Sequence, residues 1–415
     1  MKIRSITVFV NPSWPLQVAV LRQAGEFIAQ ARRAYEQAGY EVQTVRLATP
    51  PFSALLRGKD ESRSGHASLG HLVDLAQAIE KTAAPLGFSY ISLGPALPEN
   101  LQDYALIPDA LAATQNIFLS GLLTTPGGGV SLPAVRACAQ VIHRTAPLTP
   151  DGFTNLRFAA LANVPPGSPF FPAAYHEGDA PAFALATEAA DLAVEAFSGA
   201  GSLETARAGL VATIEEHAQK FCQVGEALAS GTGFRFGGID FSLAPFPNQA
   251  HSIGEAMERL GVPAVGLHGS LAAAAILAET LDRARFPRAG FSGLFLPALE
   301  DSILAARAEE GLLTLKDLLL YSAVCGTGLD TIPLPGDTSP EALQAVLLDL
   351  AVLAQRLDKP LTARLMPVPG KAAGEQTGFD FAFFANSRIL ALEAQPLQRF
   401  LAGDETFVLR PRKGR

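Results

Sequence analysis

The chain has few cysteines and few charged residues. Three cysteines occur among its 415 residues, and charged residues make up 17% of the chain against 48% hydrophobic ones. Cys138, Cys222 and Cys325 lie far apart and lack CxxC spacing, which argues against a disulfide framework and against a zinc site built on thiolates. The apolar content is too high for a disordered chain and is typical of a globular protein with a large core.

Positive charge is also scarce. No run of lysine and arginine occurs, and the formal net charge is −8 at pH 7. A nucleic-acid groove or an anionic membrane surface needs an excess of positive charge, so we expect neither partner. The most apolar helical segment, residues 271–277, is too short to span a membrane, and the first apolar stretch ends at Asn11, too early for a secretory signal. We therefore expect a cytoplasmic protein.

What the chain does contain is a regular alternation of short β-branched runs with longer alanine- and leucine-rich segments of helical period. The predicted strands are residues 6–10, 41–47, 90–93, 117–122, 156–161, 235–243, 293–296, 329–334 and 363–368, with a weaker one at 263–267. This alternation predicts mainly parallel strands with helices outside. Ten strands favour a closed α/β barrel formed by residues 1–415 as a single domain; an eight-stranded α/β barrel with insertions is the alternative.

Polar residues mark several predicted helix starts. Capping-box spacing is found at three pairs of residues, namely Thr314 and Asp317, Ser252 and Glu255, and Thr338 and Glu341. Asp179 followed by Pro181 predicts one more helix start. The helix from Thr314 is predicted to end at Cys325, where the helix dipole disfavours a thiolate, so we interpret Cys325 as a packing residue.

Polar residues also accompany the predicted carboxyl ends of the strands, where parallel α/β proteins place their functional groups. Asp240 and Ser242 end one strand, Asp330 lies in a later one, and Arg364 and Lys371 accompany the last. We expect Asp330 to take part in catalysis and the other four residues to bind the ligand. On this prediction all five line one rim of the barrel.

The acids Asp240, Glu300, Asp301 and Asp330 could form a carboxylate cluster. Such clusters bind divalent cations such as Mg²⁺ or Ca²⁺, or separate the pKa values of their members for acid–base catalysis. A divalent cation is therefore a possible cofactor. Each acid taken alone is explained as well by a helix cap or an arginine partner, and Asp301 fits a cap best because it precedes a predicted helix.

Residues 163–178 form a long proline-rich stretch without the pattern of a strand or a helix. Long structureless segments are uncommon inside compact domains and often shape functional sites. We interpret Asn163 and Tyr175 as ligand-binding residues, His176 as a general acid or base, and Glu177 as the carboxylate that orients it. The alternative is a stiff loop that packs its phenylalanines on the core.

Several motifs in these regions resemble the family named domain of unknown function 711. They are Asn163-Val164-Pro165, Pro169-Phe170-Phe171-Pro172-Ala173-Ala174-Tyr175-His176-Glu177-Gly178, Ile239-Asp240-Phe241-Ser242-Leu243-Ala244-Pro245, Val324-Cys325-Gly326, Gly328-Leu329-Asp330 and Pro367-Val368-Pro369-Gly370-Lys371. The resemblance implies a ten-stranded barrel similar to that of pyruvate formate-lyase and anaerobic ribonucleotide reductase, and it implies no activity. Glycyl-radical enzymes of that fold carry an Arg-Val-x-Gly-aromatic motif, whereas Gln376 and Thr377 precede Gly378 here, so radical chemistry is not expected.

Two functions of different classes remain open. The first is an enzyme that acts on a small anionic metabolite at the barrel mouth, with protons handled by His176 and Glu177. The second is a non-catalytic protein that binds a metabolite or a cation in the same pocket. A small-molecule ligand is expected in both cases, an oligomer is possible, and a purely structural oligomer is the least favoured interpretation.

Overall fold

The computed structural model describes residues 1–57 and 69–411. Within these residues the strands are β1 Lys2–Phe9, β2 Val42–Ala48, β3 Tyr90–Ala96, β4 Ile117–Leu122, β5 Gly129–Ser131, β6 Phe158–Ala162, β7 Ala182–Glu188, β8 Arg235–Asp240, β9 Gly328–Pro335, β10 Leu361–Val368 and β11 Thr406–Val408. The α-helices are α1 Val18–Gln37, α2 Phe52–Arg57, α3 Leu69–Ala83, α4 Leu101–Tyr104, α5 Ile107–Ala112, α6 Leu132–Thr145, α7 Ala190–Gly199, α8 Leu203–Thr232, α9 Ile253–Arg259, α10 Ser270–Arg283, α11 Ser302–Glu309, α12 Leu315–Tyr321 and α13 Pro340–Leu357. Short 3-10 helices lie at Ala84–Leu86, Ala146–Leu148, Phe153–Arg157, Gln249–His251 and Arg399–Ala402.

Nine of the eleven described strands form one large mixed sheet, in the order β8-β7-β1-β2-β3-β4-β6-β10-β9. The other two, β5 and β11, pair with each other in an antiparallel ribbon. Strands β1, β2, β3, β4 and β6 run parallel to one another, as do β7 with β8 and β9 with β10. Two joints are antiparallel, β1 with β7 and β6 with β10. The carboxyl ends of the strands therefore lie at both ends of the sheet.

Residues 288–297 connect the two edge strands of this sheet, and we call them the bridging segment. Single parallel bridges join Ile239 of β8 to Arg288 and Leu243 to Leu294, and another joins Pro297 to Asp330 of β9. The Ala298 N–H also donates to the carbonyl of Asp330 at 3.0 Å. The segment thus hydrogen-bonds on both sides without itself forming a regular strand.

The longer helices cover one face of the sheet with apolar stripes of helical period. In α1 this stripe comprises Leu21, Phe27, Ile28 and Tyr35, which are buried in the main hydrophobic core. None of the helices in the described ranges is long and apolar enough to cross a membrane. The predicted α/β class is confirmed, while closure into a barrel stays a prediction.

The other face of the sheet is filled by the loop of residues 163–178. Its phenylalanines enter two small apolar clusters: Phe170 packs with Phe295, and Phe171 packs with Phe118. The strands also hold the loop through its backbone, since the Thr7 hydroxyl donates to the carbonyl of Pro169 at 3.1 Å. The predicted absence of strand and helix in this loop is confirmed. Its phenylalanines pack on the sheet, as in the alternative interpretation of a stiff packing loop.

Several predicted elements were wrong. The strands predicted at residues 263–267 and 293–296 are reduced to isolated bridges, and the strand predicted at 235–243 ends at Asp240. Residues 182–188, expected to open a helix after Asp179 and Pro181, form β7 in the middle of the sheet. The helix predicted at Thr338 is capped one residue later, where the Ser339 hydroxyl accepts from the Ala342 N–H. The helix that starts at the Thr314 capping box ends at Tyr321 instead of Cys325.

Candidate active site

The opening that contains the predicted general base His176 lies where β1 ends and β7 and β8 begin. It has a volume of about 430 Å³ and is lined by residues that include Phe9, His176, Glu177, Arg235 and Arg288. We call it the His176 cavity. Its size falls in the range of small-molecule sites, roughly 300–1,000 Å³.

His176 is held in this cavity by its backbone rather than by its ring. Its N–H donates to the carbonyl of Thr49 at 2.9 Å, and the Ser92 hydroxyl anchors the nearby carbonyl of Ala174 at 2.6 Å. The residue is only 4% exposed, and its Nε2 is buried without a hydrogen-bond partner among the described residues. A buried ring nitrogen without a partner costs stability, and a catalytic role is one explanation of that cost.

The electrostatics of the cavity favour the neutral form of the imidazole. Burial and the nearby Arg235 guanidinium lower the pKa of His176 from its ordinary value of 6.5, and Asp179 opposes the shift. Arg288 is anchored, since its guanidinium donates to the carbonyls of Leu281 and Ala284. The Arg235 guanidinium is exposed and makes no hydrogen bond or ion pair within the described parts of the chain, so its charge is available to a ligand.

The lowered pKa of His176 predicts a pH dependence of stability. A histidine with a folded-state pKa below its unfolded value stabilises the fold above the unfolded pKa, and this contribution disappears as the pH falls. We expect His176→Gln to lose less stability than the wild type between about pH 6.5 and pH 5. Thermal unfolding across this range tests the expectation, with His268→Gln on the exposed surface as the control. Parallel pH profiles for wild type and His176→Gln would contradict it.

A second, smaller cavity of about 60 Å³ lies toward the opposite end, where β1 and β3 begin. Its walls include Arg4, Arg46, Glu300 and Arg364, and we call it the Arg46 cavity. The Arg364 guanidinium donates to both carboxylate oxygens of Asp330, at 2.6 and 2.9 Å, and to Glu300 at 2.9 Å. Arg4 bonds to the other oxygen of Glu300. Two predicted residues, Asp330 and Arg364, are therefore brought together in a buried ion-pair network.

Burial and charge act in opposite directions in this network. Burial raises the pKa of Glu300, but Arg4 and Arg364 outweigh it and hold the pKa below its ordinary value. Burial lowers the pKa of Arg364, and the Asp330 and Glu300 carboxylates more than reverse this effect. Both groups are therefore charged at neutral pH, and Arg364 is already occupied by two carboxylates.

Asp240 and Ser242 support the wall of the His176 cavity from behind. The Asp240 carboxylate accepts from the N–H groups of Phe291 and Ser292, at 3.0 and 2.8 Å, and from the Ser242 hydroxyl. Burial raises the pKa of Asp240. Because all three donors belong to the protein, these two residues hold the bridging segment in place and leave little capacity for a ligand.

Asn163, Tyr175 and Lys371 lie elsewhere. Asn163 and Tyr175 line a third cavity of about 620 Å³, where the Tyr175 hydroxyl donates to the carbonyl of Val164 and the Gln355 amide donates to Asn163. Lys371 lies outside all three cavities, in a turn where its N–H donates to the carbonyl of Val368. The exposed Glu177 lies at the boundary between the His176 cavity and the third one.

The prediction of one rim that carries all these residues was therefore wrong. It assumed that the strands all run the same way, whereas the antiparallel joints place carboxyl ends at both ends of the sheet. His176 lies beside the last residue of β1, while Asp330 belongs to a network that includes Arg4 near the first residue of β1. Of the predicted carboxylate cluster, Glu300 and Asp330 share the guanidinium of Arg364, whereas Asp240 and Asp301 accept from backbone N–H groups elsewhere. No group of three or more His, Cys, Asp or Glu side chains in the described ranges could hold a metal ion.

Sequence reasoning missed four arginines that line the two cavities, Arg4, Arg46, Arg235 and Arg288. Arg46 left a signal, because it is a charged residue within the otherwise apolar end of β2, Val45-Arg46-Leu47-Ala48. In a strand covered by helices on one face, such a charge must point into the opposite face. That interpretation requires knowledge of what covers the opposite face, which is the loop of residues 163–178.

The comparison with known proteins fits the motifs quoted from the sequence. The family model described as Uncharacterised ACR (DUF711) matches residues 1–385. A UPF0210 protein of Pyrobaculum islandicum is 33% identical over 90% of this chain and 87% of its own length. UPF0210 proteins of Pelotomaculum thermopropionicum and Neisseria meningitidis are 30% and 31% identical, over 87% and 74% of this chain and 81% and 71% of their own lengths. The resemblance is thereby confirmed, and the chain belongs to the DUF711 family.

Proposed function

We propose that this protein is an enzyme that acts on a small anionic metabolite in the His176 cavity. The observation that supports this most is the buried imidazole of His176, whose Nε2 has no partner in the described chain and which lines a cavity of about 430 Å³. A neutral histidine at neutral pH is suited to accept a proton. The lowered pKa of His176 keeps it in that form.

The substrate class follows from the charge at the cavity wall. Of the two arginines that line this cavity, Arg235 is the one whose guanidinium has no hydrogen bond or ion pair in the described chain. A carboxylate or phosphate would bind it in the planar geometry that arginine prefers. Glu177 lines the same cavity and is proposed to orient His176 or to receive its proton. We propose proton abstraction from a carbon atom next to a carboxyl or carbonyl group as the reaction class.

We further propose that the sheet closes into a barrel of ten strands, with the chain as a single domain. The support is that the bridging segment pairs with both edge strands and runs parallel to each of them. On this proposal one set of five strands opposes another, and the His176 cavity is one mouth of the barrel. A barrel similar to that of pyruvate formate-lyase belongs to the same proposal.

The test is an exchange experiment in deuterated water. We expect the wild type to exchange the α-protons of one or more short keto acids or hydroxy acids, detected by proton NMR. The variant His176→Gln keeps the size of the side chain and removes the base, so exchange should fall about a hundredfold or more. Binding of the same acid, measured by calorimetry, should change little. Arg235→Gln should weaken binding instead.

The control is Arg259→Gln, which changes an arginine of α9 away from the cavity and should leave both exchange and binding unchanged. Binding that survives in His176→Gln, together with no exchange or turnover of any acid by the wild type, would overturn the enzyme proposal. It would favour the non-catalytic binding protein.

A further inference from the structure

Arg46 is a buried cation that forms no ion pair with a described carboxylate. It projects from β2, is 8% exposed, and lies between the rings of Tyr90 and Phe171, whose centroids are 5.6 and 5.2 Å from the guanidinium carbon. Its Nε donates to the Thr44 hydroxyl at 3.0 Å. Within the described chain, no carboxylate oxygen lies within 4 Å of its nitrogens, and no other hydrogen bond of its guanidinium is found.

The acids that could have paired with Arg46 are held by other arginines. Glu300 bonds to Arg4 and Arg364, and Asp330 bonds to Arg364 through both of its oxygens. The two terminal nitrogens of Arg46 are thus left for the cavity that the residue lines. These nitrogens keep access to the cavity, so water or a ligand there can accept hydrogen bonds from them.

The surroundings of Arg46 disfavour its unpaired positive charge. Burial, reinforced by the charge of Arg4, lowers the pKa of Arg46 to about 9. A guanidinium in an apolar setting gains most from a planar anion that accepts two parallel N–H bonds. Most of the remaining wall is apolar and aromatic, formed by Phe118, Leu156, Phe170, Phe381 and Phe383.

We propose that the Arg46 cavity binds the carboxylate of a small organic acid, with its carbon chain against the phenylalanines. The volume of about 60 Å³ suits an acid of a few carbon atoms. A single negative charge fits better than two, because the Glu300 carboxylate also lines the cavity and would repel a dianion. This site lies at the end of the sheet opposite His176, so it is independent of the proposed active site.

The probe is propionate, with its neutral amide, propionamide, as the matched control. We expect saturable binding of propionate to the wild-type protein, measured by saturation-transfer NMR and by calorimetry. Propionamide should bind about tenfold or more weakly, because it lacks the charge that the guanidinium pairs with. Equal binding of the two compounds, or no saturable binding of propionate, would overturn the proposal without any variant being made.

The variants then locate the site. Arg46→Gln should weaken propionate binding about thirtyfold or more, and Arg46→Lys should restore part of it, since a lysine keeps the charge without the planar geometry. His176→Gln should bind propionate like the wild type. Propionate binding that is lost in His176→Gln and kept in a folded Arg46→Gln would assign the acid to the His176 cavity and refute a site at Arg46.

Discussion

Replacement of Arg364 by methionine should lower the free energy of unfolding by about 3–5 kcal/mol. The guanidinium is the sole hydrogen-bond partner found for the Asp330 carboxylate in the described chain and one of two arginines on Glu300. Methionine fills much of the same volume, so the main loss is the counter-charge. Because Asp330 is 1% exposed, its charge cannot be solvated in place. Chemical denaturation followed by circular dichroism measures the loss.

The pH dependence of this loss in stability is a second test of the same variant. Burial already raises the pKa of Asp330 in the wild type, although Arg364 acts to lower it. Without Arg364 the pKa of Asp330 rises further, and protonation removes the buried charge. The difference in stability between the variant and the wild type should therefore shrink as the pH is lowered.

A matched double variant separates the charge from the packing. Asp330→Asn added to Arg364→Met removes the carboxylate that the single variant leaves unpaired. The double variant should recover at least about 1 kcal/mol of the free energy of unfolding. The remaining acid, Glu300, keeps its bond to Arg4. A loss below about 1 kcal/mol in Arg364→Met alone, the value of an exposed ion pair, would mean that water replaces the guanidinium in the Arg46 cavity.

The strands that were predicted correctly are short apolar runs without the periodicity of a helix. Residues 117–122 and 329–334, rich in β-branched and leucine side chains, coincide with β4 and β9 within one residue. Strand β7 was missed because its residues, Ala-Phe-Ala-Leu-Ala-Thr-Glu, have high helix propensity and follow an aspartate–proline pair. Its position between β8 and β1 depends on pairing with residues far away in the chain.

The prediction that the site residues lie on one rim was wrong for a related reason. A sequence shows where a strand ends, but the direction of that strand relative to its neighbours is decided by the path of the intervening chain. The two antiparallel joints of the sheet therefore separated Asp330 and Arg364 from His176. What the sequence could predict was local: the unusual loop, the histidine in it and the cap at Asp301, each of which depends on neighbours within a few residues.

Replacement of Asp301 by alanine should lower the free energy of unfolding by about 3 kcal/mol or more. Its carboxylate is fully buried and caps α11 by accepting from the N–H groups of Ile303 and Leu304, both at 2.9 Å. The same carboxylate accepts from Ile253 at 2.6 Å and from the Ser252 hydroxyl at 2.7 Å, at the start of α9. One side chain thus satisfies the first turns of two helices, and its loss leaves several buried N–H groups without a partner.

Asp317→Ala is the matched control, because Asp317 belongs to an ordinary capping box at α12 and its bonds are exposed. It should cost about 1 kcal/mol, as a cap at a solvated helix end does. Ser252→Ala combined with Asp301→Ala should cost less than the sum of the two single changes, because both residues belong to one hydrogen-bonded group. Equal losses in Asp301→Ala and Asp317→Ala would show that water reaches the buried N–H groups of α9 and α11. The joint between these helices, which directly follows the bridging segment, would then be hydrated instead of held by a single carboxylate.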